Sequence, residues 1–150
     1  MNQNLSEKLE RYLYEKLPLV EAIGCHIADA SPGHVKASMQ KSRIVTNHFG
    51  SFHAGALYTF AETVGGALFT SVIDMDENTL IARRGEIRYL KMVTGEAFSV
   101  ADISAEEIER IKRAVREKGR ADFSYTVIVK NQDNETACEV TFDFLLRRNK

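Results

Sequence analysis

Apolar positions along the chain follow first a helical period and then a strand period. Leu5, Leu9, Tyr12, Leu13 and Leu17 fall on one face of a helix. Asn4 and Glu7 precede it like an N-terminal cap pair, and Pro18 is expected to close it. Residues 20–40 then read as a hairpin, with strands at about 23–30 and 34–39 around Ser31-Pro32-Gly33. A polar loop, 40–52, leads into the most apolar stretch of the chain, Ala54 to Ile73, which contains a single charge, Glu62. Its three glycines, three threonines and one serine make it a poor membrane span, so it reads as a buried helix.

Beyond a turn at 74–78 lie two strand-like runs, 79–92 and 96–103, separated by Thr94-Gly95. Ser104 and Glu107 form a capping-box pair in front of a charged helix, with Ile108, Ile111, Ala114 and Val115 on its one apolar face. Gly119 stands where a left-handed C-cap belongs. The chain closes with a hairpin, 121–130 and 136–147, whose Val127, Val129, Val140, Phe142 and Phe144 alternate as strand residues do. Helix, two strands, a long apolar helix and four strands with one inserted surface helix make an α+β fold with a mostly antiparallel sheet.

Composition narrows the function. The 150 residues suit one domain, 1–150, large enough to fold without a disulfide or metal. Twenty basic against twenty-one acidic residues leave a net charge of −1, without the basic excess of a nucleic-acid binder. Cys25 and Cys138 are isolated and show no metal-ligand spacing. No secretory signal pattern is visible at the N-terminus, so a reducing cytoplasm is the expected compartment.

The central helix carries the candidate chemistry. Leu57, Phe60, Val64, Leu68 and Val72 make a bulky stripe for the sheet, while Gly55, Thr59, Glu62 and Gly66 make a small, polar one. Three glycines inside a helix suggest close packing by a backbone or a ligand on that second face. Glu62 alone there reads as a partly desolvated carboxylate, a candidate base or nucleophile, since a solvent face would carry several charges. Upstream, Asn47 and His53-Ala54-Gly55 bring polar groups to the helix N-terminus, whose free N–H groups and dipole suit a developing oxyanion. Taken singly, His53 is better read as a cap and Asn47 as a turn residue.

Together, Asn47, His53-Ala54-Gly55 and Glu62 resemble the Asn…His-Gly-Gly…Asp/Glu signature of hotdog-fold acyl-CoA thioesterases, the group that includes phenylacetyl-CoA thioesterases. Tyr89-Leu90-Lys91 followed by Gly95 is similar to that group's central-strand segment. The likeness runs from about residue 20 to the end. Ala54 departs from the usual glycine, and the helix after Ser104 resembles a less characterised thioesterase-like branch.

The resemblance implies an antiparallel sheet of five or six strands wrapped around the central helix, in subunits paired as a homodimer or dimer of dimers. It also implies an acyl-CoA substrate and no cofactor or metal. Ala54 and Gly55 N–H groups, with His53, would polarise the thioester. Glu62 would attack or activate water, and Asn47 would orient the nucleophile. Ala54 and Glu62 are eight residues, or about 12 Å, apart along the helix, so both can serve one carbonyl only from different subunits. Arg83, Arg84, Arg88 and Lys91 are candidates for the coenzyme A phosphates; a solvated strand end is an equally good reading of them. Two alternatives compete: a non-catalytic acyl-CoA-binding protein, and a hydroxyacyl-thioester dehydratase using His48 and Glu62.

Overall fold

The first helices show how local chemistry sets the chain's course. A computed structural model describes residues 4–150, so the extreme N-terminus of the signal reading lies outside the described residues. Helix α1 (Leu5–Lys16) is capped by Asn4, whose side chain accepts the Glu7 N–H at 3.0 Å. Leu9 and Leu13 bury its apolar face. Pro18 closes this helix as expected, since the residue before a proline is driven out of the helical region. The break comes at Leu17, and Pro18 opens a second, short helix, α2 (Pro18–Ala22). The first helical turn is the one place where proline's missing N–H costs nothing.

Six strands follow in one antiparallel sheet: β1 (Cys25–Ser31), β2 (His34–Gln40), β3 (Asn78–Tyr89), β4 (Glu96–Asp102), β5 (Arg120–Lys130) and β6 (Thr136–Arg148). Their order across the sheet is β1-β2-β4-β5-β6-β3. Helix α3 (Ala54–Thr70) packs along the middle strands. Phe60, Val64 and Leu68 have no solvent exposure, nor do Val35, Ala37, Val129, Val140 and Phe142 of the sheet. This interface is the core. The helix ends three residues short of the expected Ile73, which leaves Val72 beyond its last turn.

The two sheet edges differ. At β1, α1 lies close enough for Glu10 to accept the Ile27 N–H at 2.7 Å and for Tyr14 to donate to the Cys25 carbonyl at 2.7 Å. At β3, no residue is buried and one edge of the twelve-residue strand is unpaired among the described residues. An uncovered strand of that length is a template for pairing.

Helix α4 (Ala105–Lys118) interrupts the sheet between β4 and β5. Ser104 caps it by accepting the Glu107 N–H at 3.2 Å, and Gly119 ends it at φ 73°. The second half of the capping box is replaced, because the Glu107 carboxylate turns to Arg110 instead. Ile111 and Val115 are buried, so this surface helix is anchored by one narrow stripe. Among the described residues, no helix is long and apolar enough to cross a membrane.

Candidate functional site

The N-terminus of α3 is held by a hydrogen-bonded loop that Asn47 organises. Its side-chain oxygen accepts from Phe49 N–H (2.9 Å), Ser51 N–H (3.2 Å) and the Ser51 hydroxyl (3.2 Å), while its amide donates to the Phe52 carbonyl (3.3 Å). A positive φ of 77° at Gly50 lets the chain turn back beneath it. The loop is then tied to its neighbours by Phe52 N–H on the Val93 carbonyl (2.8 Å) and His53 N–H on the Val45 carbonyl (2.7 Å). Asn47 is therefore the turn-former that its residue type suggests, with one amide N–H still free.

His53 is the N-cap of α3. Its Nδ1 accepts the Gly55 N–H at 2.9 Å, so the neutral ring carries its proton on Nε2. The Ala56 and Leu57 N–H groups turn to the His53 carbonyl at 3.0 and 3.1 Å. Ala54 N–H is left as the first-turn donor without a protein partner among the described residues. Of the two expected oxyanion donors, the Gly55 N–H is thus already engaged and the Ala54 N–H is open.

A cavity of about 280 Å³ adjoins this helix end, and Asn47, Ala54, Leu57, Tyr89 and Lys91 all line it. The Tyr89 hydroxyl donates to the Ala54 carbonyl at 2.9 Å, which ties the end of β3 to the first turn of α3. Sequence reasoning missed Tyr58 as well as this tyrosine contact. Tyr58 lies midway between Ala54 and Glu62 at helical spacings of four, so all three share one face. Its hydroxyl lies 1.9 Å from where a Gly85 Cβ would be, and its ring stands edge-on to Phe142 at 5.5 Å. A tyrosine four residues before the lone glutamate, with a glycine in a strand otherwise rich in side chains, was the available signal.

Glu62 is half-buried and has no hydrogen bond or ion pair among the described residues. Burial alone pushes its carboxyl above the usual glutamate range. The glycines of this helix divide differently from the expectation. Gly65 makes the close approach, but to the sheet, where a Cβ would meet Phe144 at 3.3 Å and Val127 at 3.5 Å. Gly66 faces open space. A Gly55 Cβ would meet only the His53 ring, at 3.2 Å. Among the described residues, the close packing beside Glu62 is that of Tyr58 on β3, and the Gly66 position stays open.

The four expected phosphate ligands do not form one free basic rim. Arg83 pairs with Asp122 (3.2 Å), Arg84 with Glu86 (2.9 Å), Arg88 with Glu139 (3.4 Å) and Lys91 with Glu135 (3.6 Å). Arg84 meets an acid two residues along its own strand, Arg88 meets Glu139 directly across on β6, and Arg83 reaches over β6 to Asp122 on β5. Arg83 and Arg84 border a separate groove with Asp122 and Asp143, while Lys91 borders the cavity at the helix end. His48 is exposed with its ring against Phe49, and no described contact joins it to Glu62. Burial raises the Cys25 thiol to about 12 and that of Cys138 to about 11, which removes both as nucleophiles. Among the described residues, no group of three or more His, Cys, Asp or Glu is placed to hold a metal ion.

A six-stranded antiparallel sheet around a buried helix is the architecture of the hotdog thioesterases. The chain belongs to the family described as Domain of unknown function (DUF4442), a thioesterase-like family whose profile matches residues 6–146. Among solved structures it is similar to the Pseudomonas aeruginosa protein of unknown function PA5026, named a probable thioesterase. The two share 29% identity and a TM-score of 0.87, over 99% of this chain and 100% of that one. A mutant of the thioesterase PA1618, also from Pseudomonas aeruginosa, shares 16% identity and a TM-score of 0.77, over 99% and 97% of the two chains. The Escherichia coli PaaI protein, from the phenylacetic acid degradation operon, shares 18% identity and a TM-score of 0.68, over 98% and 97%. At those lower identities the likeness is one of fold. No curated protein matches the chain.

Proposed function

We propose that the protein hydrolyses acyl-CoA thioesters at a site that two subunits complete together. The observation that carries this reading is Glu62, a half-buried carboxylate without a partner on an otherwise small and uncharged helix face. A charge kept in such a place at a cost in solvation is characteristic of a reacting group. The open Ala54 N–H, at the positive end of the α3 dipole, is suited to a thioester oxygen as it gains charge. The ring of His53 adds an Nε2–H beside it.

Ala54 and Glu62 lie about 12 Å apart on their own helix. A two-fold pairing would set Glu62 of one subunit against the helix end of the other. The bare β3 edge and the open space at Gly66 support a partner on this side of the molecule. In such a site Glu62 either adds to the thioester carbon, forming a mixed anhydride that water later cleaves to free acid and Glu62 carboxylate, or takes a proton from a water that adds there itself. The C–S bond then breaks, the sulfur leaves as thiolate and solvent reprotonates it. The remaining N–H of Asn47 can hold the water or the carbonyl. Of the four basic candidates Lys91 is best placed for a coenzyme A phosphate, because it alone borders the cavity; Arg83, Arg84 and Arg88 would act from farther out.

The test is thiol release from a panel of short, long and aromatic acyl-CoAs. Hydrolysis is expected for at least one class. Binding without thiol release would overturn the reading in favour of a non-catalytic binder. Loss of water from a 3-hydroxyacyl thioester would overturn it in favour of a dehydratase.

A further inference from the structure

The exposed apolar side chains are not scattered. Of the nine large ones exposed among the described residues, five lie in two short segments: Ile44 and Phe49 before α3, and Tyr89, Leu90 and Met92 at and just beyond the end of β3. The Phe52–Val93 backbone bond joins these two segments, and Tyr89, Leu90 and Met92 line the 280 Å³ cavity. Met92 is 59% exposed and Leu90 44%, and both line that cavity above the buried Phe52, Leu57 and Val93. Clustered exposed apolar surface marks a binding site more often than chance.

The polar groups of the cavity are largely spent. The Asn47 oxygen already accepts three hydrogen bonds, the Ser51 hydroxyl donates to it, and Lys91 leans on Glu135. A chain rich in amides, such as the pantetheine arm of coenzyme A, would lose its water there without recovering its hydrogen bonds. A hydrocarbon chain has nothing to lose. The cavity also begins at Ala54, where the proposed hydrolysis places the thioester carbonyl.

Resting on that reading, we infer that this cleft holds the acyl chain, so that the preferred substrates carry a medium-length apolar acyl group. At ~30 Å³ for each group of water or methylene size, the 280 Å³ volume takes about nine carbons. Leu90 and Met92 then set the chain length, and the coenzyme A arm runs outward over Lys91.

The test uses S-alkyl-CoA thioethers, which cannot be hydrolysed, with chains of increasing length and calorimetric Kd values. Each added methylene should tighten binding about fourfold until the cleft is full, after which the gain should stop. Met92→Asp should flatten that dependence, and Leu90→Trp should move the plateau to shorter chains. Leu19→Asp, a change at an exposed leucine of α2, should do neither. Binding that ignores chain length, or a slope unchanged in Met92→Asp, would overturn the inference even if thiol release is observed. A change in subunit assembly in both variants with the slope intact would also overturn it, since the patch would then be a subunit contact only. A steep slope without any thiol release would leave this inference standing and remove the hydrolase reading.

Discussion

Glu62 sits under two opposing demands, and they make it testable from both sides. Burial raises its pKa, so the folded chain holds the glutamate proton more tightly than the unfolded chain does. Stability from this group is complete below the ordinary glutamate pKa and is lost as pH rises through the raised folded value. Glu62→Gln removes the charge and keeps the shape. The variant should melt at a higher temperature than the native chain at pH 8, and the difference should shrink toward pH 4. Thiol release should meanwhile fall by about 100-fold or more. In the native protein the acid limb of kcat/KM should lie above ~4.3, the value for a free glutamate. Native-like turnover in Glu62→Gln would remove the carboxylate from the mechanism. A melting difference independent of pH would contradict the account of its burial.

At the scale of elements, the contact between α3 and β3 is a fit of a large residue to an absent one. The Tyr58 hydroxyl occupies the space beside Gly85, at 1.9 Å from any Cβ placed there. Gly85→Val must push the ring away from Phe142, at a cost of about 1–3 kcal/mol by analogy with other overpacked sites. Tyr58→Ala should cost stability alone yet remove most of that penalty, a coupling that urea unfolding of the two single variants and the double variant would measure. Additive effects would show that the glycine serves another purpose. Spacing in the sequence places Tyr58 on the Glu62 face of the helix, but its meeting with a strand some two dozen residues later depends on the register of β3 on β6.

The whole molecule leaves one sheet edge covered by α1 and the other bare, which is the asymmetry that a two-fold pairing would use. The proposed shared site makes a sharp demand. Gly55→Leu should displace the His53 ring and block the helix end, and Glu62→Gln should disable the acid, so each homodimer should be inactive. Co-expressed, doubly tagged mixed dimers should recover about half of native activity, because one of their two sites combines an intact Glu62 with an intact helix end. Verified mixed dimers without activity would place the site within a single chain.

Periodicity and caps made the elements legible in advance: Asn4, Ser104 and Gly119 stop and start helices through contacts that reach no farther than one turn. The isolation of Glu62 was visible for the same reason, since a helix face is a matter of counting residues. Pro18 closes α1 as its position indicates, but that it also opens α2 was not visible, because the same residue type serves both ends of helices. The pairing of Arg83, Arg88 and Lys91 with carboxylates, the closeness of Gly65 to Phe144, and the cavity between the loop before α3 and the end of β3 were not legible. Each joins residues far apart in sequence. Which of them meet depends on strand order and on a register in which a slip of one residue turns every side chain to the opposite face.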